Sequence, residues 1–347
     1  MPLLMIDKHQ VPASWTDAKR WRPLKSSHAR SARSTYLNIA LVNNMPDSAL
    51  EDTESQFADL LGAAAGDIPV HLKFFSLPGI TRSARVQERL RNYYFGIEDL
   101  WNCRFDGVIV TGTEPRQADL RQEPYWSALV DLFDWAEHNT ASAVLSCLAA
   151  HASALYSDGI ERHALDDKRF GAFNERRASD HPLLRDTSDI MPFPHSRWNE
   201  VREDALVSAG YAVLTKSAEA GVNLFVKKQR KSLFVHFQGH PEYGAETLLK
   251  EYRRDVGRFL RQERATYPSM PREYFDAASS ELLMKFQENA LSNPRKELLA
   301  DFPENAVARA LQRPWHAPAV CIYRNWLCYV ASKKTHVSTL VRENQPD

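Results

Sequence analysis

The chain is expected to be an α/β protein with a mostly parallel, doubly wound sheet and an extension at each end. Three observations point there. From Leu37 onward, short apolar runs alternate with amphipathic stretches of helical length. Strands separated by helical patterns imply βαβ units, hence parallel pairing with helices on both faces. In addition, 347 residues with 44% hydrophobic and 25% charged residues suffice for a sizeable core.

The elements follow in order. "LNIALVN" (37–43) is a buried strand and "ALEDTESQFADLL" (49–61) an amphipathic helix. "IPVHLKFFSL" (68–77) is the next strand, followed by a polar helical pattern in "SARVQERLRNYYF" (83–95). "FDGVIVTGT" (105–113) is again a buried strand. "PYWSALVDLFDWAEHN" (124–139) is a helix that Pro124 is expected to begin, and "SAVLSC" (142–147) returns to strand. "GYAVLTKS", "VNLFVKK" and "SLFVHFQGH" (210–240) lie close together with basic turns between them, which predicts an antiparallel section. A final helix is expected over about 245–262. Residues 1–35 include the basic, Ser-rich "WTDAKRWRPLKSSHARSARS" and are expected to form an extension outside a domain spanning 36–265. Residues 266–347 form a C-terminal extension packing on that domain, polar and helix-like over 276–312 and aromatic-rich in "WHAPAVCIYRNWLCYVAS".

Composition narrows the function. Lys plus Arg equals Asp plus Glu at 44 each, so no global field favours nucleic acid or an anionic membrane. No signal-peptide pattern and no long apolar run is visible, so a cytoplasmic protein is expected. Four cysteines without C-x-x-C spacing are expected to be reduced thiols. No metal-binding cluster, phosphate loop or dinucleotide fingerprint is present.

In a doubly wound sheet, ligands sit beyond the carboxyl ends of the strands. Cys147 stands at such an end, where "SAVLSC" gives way to "LAAHASALY". A nucleophile on a sharp strand-to-helix turn lies near the first free N–H groups of the helix, which stabilise a negative oxygen. Taken alone, such a cysteine is more often a small packed hydrophobe. The turn "GHPEY" supplies the rest. His240 is a base near neutral pH, Glu242 is placed to fix its tautomer, and Gly239 and Pro241 are expected to force the turn.

These residues resemble the homoserine O-acyltransferase family (O-succinyl or O-acetyl), built on the class I glutamine amidotransferase-like, flavodoxin-like fold. The resemblance runs from about 37 to 332. Its motifs are "NMPD", "TESQFADLLG", "FDGVIVTG", the Cys147 turn, "KRFGAF", "PHSRWNEVR", "EAGVNLFV", "GHPEY", "EYRRD" and "IYRNWLCYV". It implies methionine biosynthesis, a Cys147 acyl-thioester, His240 as general base and Glu242 as its support. It further implies small-molecule substrates (succinyl-CoA or acetyl-CoA, and L-homoserine), no cofactor beyond acyl-CoA as co-substrate, and a homodimer. By motif position, Lys168, Ser196 and Arg254 correspond to substrate-binding residues, with Glu251 beside Arg254 on one helical face, and Arg116 to the acyl-specificity position. A cation at Arg116 favours a succinyl carboxylate over an acetyl methyl, unless Glu114 neutralises it. The chain departs from the family at Leu148 and His151, where Trp and Gln are usual, and at Ser48, near the place of a lysine. His151 is expected to be a polar core substitute. Two other readings use the same residues: an amidotransferase-type hydrolase, or an enzyme acting on another hydroxy amino acid such as serine. A non-enzymatic relative is the third.

Overall fold

The computed structural model describes residues 3–5 and 36–343, with side chains described as far as 334. Eight strands form the main sheet: β1 (Leu3–Met5), β2 (Leu37–Val42), β3 (Val70–Phe75), β4 (Gly107–Val110), β5 (Ser142–Ser146), β8 (Ala212–Val213), β11 (Leu224–Gln229) and β12 (Ser232–Phe237). Their order is β1-β3-β2-β4-β5-β12-β11-β8. The pairs from β1 to β12 are all parallel, and β11 alone runs against its neighbours. The doubly wound α/β class is therefore as the alternation predicts. The expected antiparallel section is present, with β8–β11, β11–β12 and the short pair of Thr215–Ser217 with Gly221–Val222 all antiparallel, and β12 then joins β5 in parallel.

Strand periodicity of two divides the core between the faces. Ile39, Leu41, Leu72, Phe74, Ile109, Val144 and Val235 face α1 (Leu50–Ala64) and the C-terminal α10 (His316–Glu343). Ala40, Val42, Val108, Val110, Ala143, Leu145 and Phe234 face α4 (Trp126–Asn139) and α5 (Leu148–Asp158). The terminal aromatics are core: Trp315, Tyr323 and Trp326 are buried. Trp326 donates its indole N–H to Ser142 Oγ at 2.9 Å. Its ring lies so close to β4 that a Cβ on Gly107 would approach it to 2.9 Å.

The structure corrects several boundaries. The helix expected to begin at Pro124 begins at Trp126, because Pro124 lies in a turn closed by Trp126 N–H to Glu123 O at 2.9 Å. "GYAVLTKS" is not one strand. It breaks at Leu214 into β8 and β9 (Thr215–Ser217), and "VNLFVKK" breaks likewise at Asn223 between β10 (Gly221–Val222) and β11. The first break passes the chain from the main sheet to a second sheet of order β10-β9-β6-β7, and the second returns it to the main sheet. That sheet is built on a long hairpin, β6 (His163–Arg177) and β7 (Ile190–Glu200), absent from the sequence expectation. Residues 276–312 form α8 (Ala277–Ser292), a 3-10 segment (Lys296–Asp301) and α9 (Glu304–Ala308). With α7 (Thr247–Leu260) they make a third core around Leu249, Tyr252, Val256, Leu283, Phe286 and Val307. The expected N-terminal extension lies outside the described residues except for Leu3–Met5, the edge strand against β3.

Removing the Trp326 ring deletes both a large packing surface and the donor to Ser142. Trp326→Ala is expected to cost about 3–5 kcal/mol in urea unfolding, read as a lower midpoint at unchanged m-value.

Candidate active site

β5 is buried along its whole length between β4 and β12. Cys147 extends its ladder by one bond, N–H to Phe237 O at 2.7 Å, and then reverses the chain with φ 50° and ψ −108° into α5. Such a backbone is costly for a residue with a side chain. The helix begins at once, as Ala150 and His151 donate to Cys147 O at 3.0 and 3.2 Å. Leu148 N–H, at the first helical position, has no intrahelical acceptor. Gly112, in the loop after β4, lies against it: a Cβ there would stand 3.0 Å from Leu148 N. Glycine thus keeps a side chain off the amide best placed to stabilise an oxyanion beside the sulfur.

His240 follows β12, the strand paired with β5, so the two residues leave adjacent carboxyl ends. His240 Nδ1 bonds Glu242 Oε1 at 2.9 Å. Nδ1 is thus committed to Glu242, and the Cys147 sulfur acts on the same ring. Burial alone would lower the His240 pKa, but the Glu242 carboxylate and the Cys147 sulfur raise it to about 10. The turn is fixed from outside. His240 N–H reaches Pro194 O at 2.8 Å, Arg313 donates to the carbonyls of Tyr243 and Glu242 at 2.7 and 3.0 Å, and the Trp315 indole also meets Tyr243 O at 2.8 Å. Gly239 is needed for room rather than for the turn expected of it. Its φ is not positive, and a Cβ would lie 2.8 Å from Pro194 O and 3.0 Å from His195 Nε2.

The remaining residues singled out in the sequence, apart from Arg116, form one polar cluster. Tyr243 stacks on the His240 ring at 4.2 Å and gives its hydroxyl to Glu251 Oε1 at 2.7 Å. Glu251 Oε2 accepts from Ser196 Oγ and faces Lys168 Nζ at 3.4 Å. Lys168 also meets Asp255 at 3.3 Å and lies over the Phe170 ring. Arg254 reaches Asp255 at 3.3 Å and Glu251 at 3.9 Å, with its side chain 40% exposed. Burial would raise the Glu251 pKa, but Lys168, Ser196, Tyr243 and Arg254 together hold it low. β6 supplies Lys168, β7 supplies Ser196, and α7 supplies Glu251 and Arg254.

Arg116 stands apart. It lines a groove of about 230 Å³ with Pro46, Thr81, Thr113, Glu123 and Tyr125, and its guanidinium meets Thr81 Oγ1 at 3.4 Å. Glu114 does not neutralise it: that carboxylate pairs with Arg258 of α7 at 3.5 Å. His151 is buried, with Nε2 on Gln238 Oε1 at 2.8 Å, and burial lowers its pKa to about 3, so it is a neutral core group.

Sequence reading missed three supporting sets. Arg313 and Trp315 clamp the His240 turn. Beneath it, Arg197 Nε donates to His195 Nδ1 at 3.3 Å, so Nε2 carries the ring proton toward Glu175 at 2.7 Å. At the first loop, Asn43 and Tyr94 bond at 3.1 Å, Tyr94 donates to buried Glu54 at 2.8 Å, and Arg89 pairs with Glu54. The motif positions of "TESQF" and "PHSR" were the available signals, without a way to assign partners.

Since Glu242 is one of the charges that raise the His240 pKa, Glu242→Gln is expected to lower it by at least about one unit. The midpoint of the His240 ring resonances in an NMR titration measures this.

A family model described as homoserine O-succinyltransferase matches residues 4–337. The chain is 44% identical to the homoserine O-succinyltransferase of Rhodopseudomonas palustris, over 88% of this chain and 91% of that protein. It is 43% identical to that of Bradyrhizobium japonicum, over 85% and 90%. Among solved structures, it is similar to a glutamine amidotransferase from Thermotoga maritima at 11% identity and a TM-score of 0.39, covering 79% of this chain and 97% of that one. With the family model spanning nearly the whole chain and relatives above 40% identity, this protein belongs to the homoserine O-succinyltransferase family and is a transferase.

Proposed function

We propose that the protein moves a succinyl group from succinyl-CoA to the hydroxyl of L-homoserine through a thioester on Cys147. The observation that carries this reading is the meeting of the Cys147 turn with the His240–Glu242 pair at the ends of adjacent strands. Cys147 Sγ, its proton passed to His240, attacks the carbonyl carbon of the acyl-CoA thioester. The oxyanion forms beside Leu148 N–H, the bond to the CoA sulfur breaks, and His240 returns the proton to the departing thiolate. One thioester replaces another, so this half-reaction is nearly balanced in energy. In the second half His240 takes the proton of the homoserine hydroxyl, the oxygen attacks the acyl-thioester, and Cys147 leaves. Glu242 holds Nδ1 and stabilises the imidazolium at both stages.

The cluster on α7, β6 and β7 suits the amino acid. Arg254 is the fork for its carboxylate, while Glu251 and Asp255 offer negative charge to its ammonium group, displacing part of their contact with Lys168. Arg116, with no carboxylate paired to it among the described residues, is the outer cation of the acyl groove.

Incubation with succinyl-CoA is expected to add one succinyl group per chain by intact mass, and Cys147→Ala to abolish the adduct. His240→Ala is expected to reduce kcat by roughly 10³-fold or more. An adduct that persists in Cys147→Ala would show that another residue is the nucleophile. Arg254→Lys is expected to raise KM for homoserine about tenfold or more with little change for acyl-CoA, measured by steady-state kinetics.

A further inference from the structure

Cys147 and His240 leave the sheet from adjacent strands. Cys147 N–H bonds Phe237 O at 2.7 Å, but beyond that bond the two chains part, one into α5 and the other into the turn that carries the imidazole. A buried contact spans the gap. His151 Nε2, in α5, meets Oε1 of Gln238, two residues before His240, at 2.8 Å. Ser146 Oγ also faces Glu242 Oε1, at the longer distance of 3.4 Å. Both partners of the shorter bond lie inside the protein, His151 at 3% exposure and Gln238 at 0%. The Gln238 amide has one orientation: its Nε2 donates to Val222 O at 2.6 Å and Val201 O at 3.2 Å, and its Oε1 accepts from Val201 N–H at 2.9 Å. Oε1 is therefore an acceptor toward His151 as well, so His151 Nε2 carries the ring proton. Burial lowers the His151 pKa to about 3, and this neutral form is the one present at neutral pH. Each end of the bond is tied to a reacting group. His151 N–H donates to Cys147 O at 3.2 Å, one helical turn from the nucleophile. Gln238 N–H is held by Asn223 O at 2.9 Å and Gly239 N–H by Asn223 Oδ1 at 2.8 Å, which fixes the two peptide units leading to His240.

We propose that His151 and Gln238 are positioning residues: their bond sets the separation of the Cys147 turn from the His240 turn, and with it the proton transfer between sulfur and imidazole. This rests on the reading of Cys147 as nucleophile and His240 as its base. A neutral hydrogen bond of this kind adds only about 0.5–1.5 kcal/mol of net stability, since both groups bond water in the unfolded chain. Its geometric effect is larger. Misplacing reacting groups by about 1 Å costs on the order of 10²-fold in rate, so the bond matters more to kcat than to folding.

The test uses the full chain with His151→Leu, which fills the space without a donor, and His151→Gln, which supplies a side-chain N–H again. In steady-state kinetics with succinyl-CoA and homoserine, His151→Leu is expected to lose roughly 10–100-fold in kcat with both KM values within about twofold, and His151→Gln to recover most of that loss. Alkylation of Cys147 by iodoacetamide, followed by peptide mapping, is a second readout that needs no substrate. His151→Leu is expected to slow it roughly fivefold or more, since an unassisted thiol is only a few per cent thiolate at pH 7. In a His240→Ala background the same change is expected to add nothing, because the bond acts through the imidazole. Equal slowing in both backgrounds would overturn the proposal. So would unchanged kcat and alkylation in a His151→Leu protein whose urea midpoint has dropped, since the bond would then serve folding alone. Should His151→Leu not fold, His151→Asn, with its shorter side chain, takes its place in the same comparison. Intact mass of the unaltered protein with succinyl-CoA runs in parallel: no adduct on Cys147 would defeat the covalent reading, and the alkylation comparison would still decide this inference.

Discussion

The site depends on one peptide bond's worth of backbone. Cys147 is held at φ 50° by a ladder bond on its own N–H and by two helical bonds to its carbonyl. Such a conformation costs about 1–3 kcal/mol in a residue with a Cβ, and it persists only because its surroundings allow no other. β5 is buried between two parallel neighbours, and the first turns of α5 are packed with small residues. If Cys147 relaxed to an extended backbone, the Phe237 bond, the start of α5 and the approach of Gly112 to Leu148 would all be lost together. The sulfur's exposure and the free amide beside it are therefore two results of the same constraint.

His240 is fixed by contacts from elements remote in sequence. Arg313 and Trp315 bond the backbone of the turn, the hairpin contributes Pro194, and Tyr243 connects the imidazole face to Glu251. Buried polar arrangements of this kind add little net stability, because each charge must first be desolvated. Their contribution is geometric: a ring stacked on Tyr243 and bonded at Nδ1 has one orientation, and its other nitrogen then has one direction. The C-terminal segment thus takes part in the site without supplying a group to the chemistry.

Legibility in the sequence followed burial. The strands of the main sheet are covered on both faces, so "LNIALV", "GVIV" and "SAVLS" are continuous apolar runs that announce themselves. The first half of β6 is charged: the run "HALDDKR" has no fully buried residue and no apolar alternation to betray a strand. Lys168 and Ser196 were identifiable only as motif positions, because the element carrying them was not. Cys147, His240 and Glu242 were legible because their chemistry needs a strand end and a tight turn, both of which leave local marks. Arg197 and Tyr243 fell within the "PHSR" and "GHPEY" motifs without a way to assign their partners, and Arg313 left no mark. Each is an ordinary residue type whose meaning lies in which distant atoms it meets.

Acids are distributed unevenly between the α7 side of the site and the loop after β4, and the two proposed substrates differ in what they require of them. Both carry a carboxylate, so cations alone would not distinguish them. Homoserine also carries an ammonium group, which requires an anion within reach. On the α7 side Glu251 and Asp255 lie among Lys168 and Arg254, so both signs of charge are present. On the side of the loop after β4, Glu123 is occupied by backbone amides and Asp119 by Arg121, and the Arg116 guanidinium has no ion pair among the described residues. An amino acid placed there would leave its ammonium group facing positive charge, whereas a succinyl group would not. The Glu114–Arg258 pair joins the two sides at the surface. As an exposed pair it is worth only about 0–1 kcal/mol, so it tethers the loop to α7 weakly.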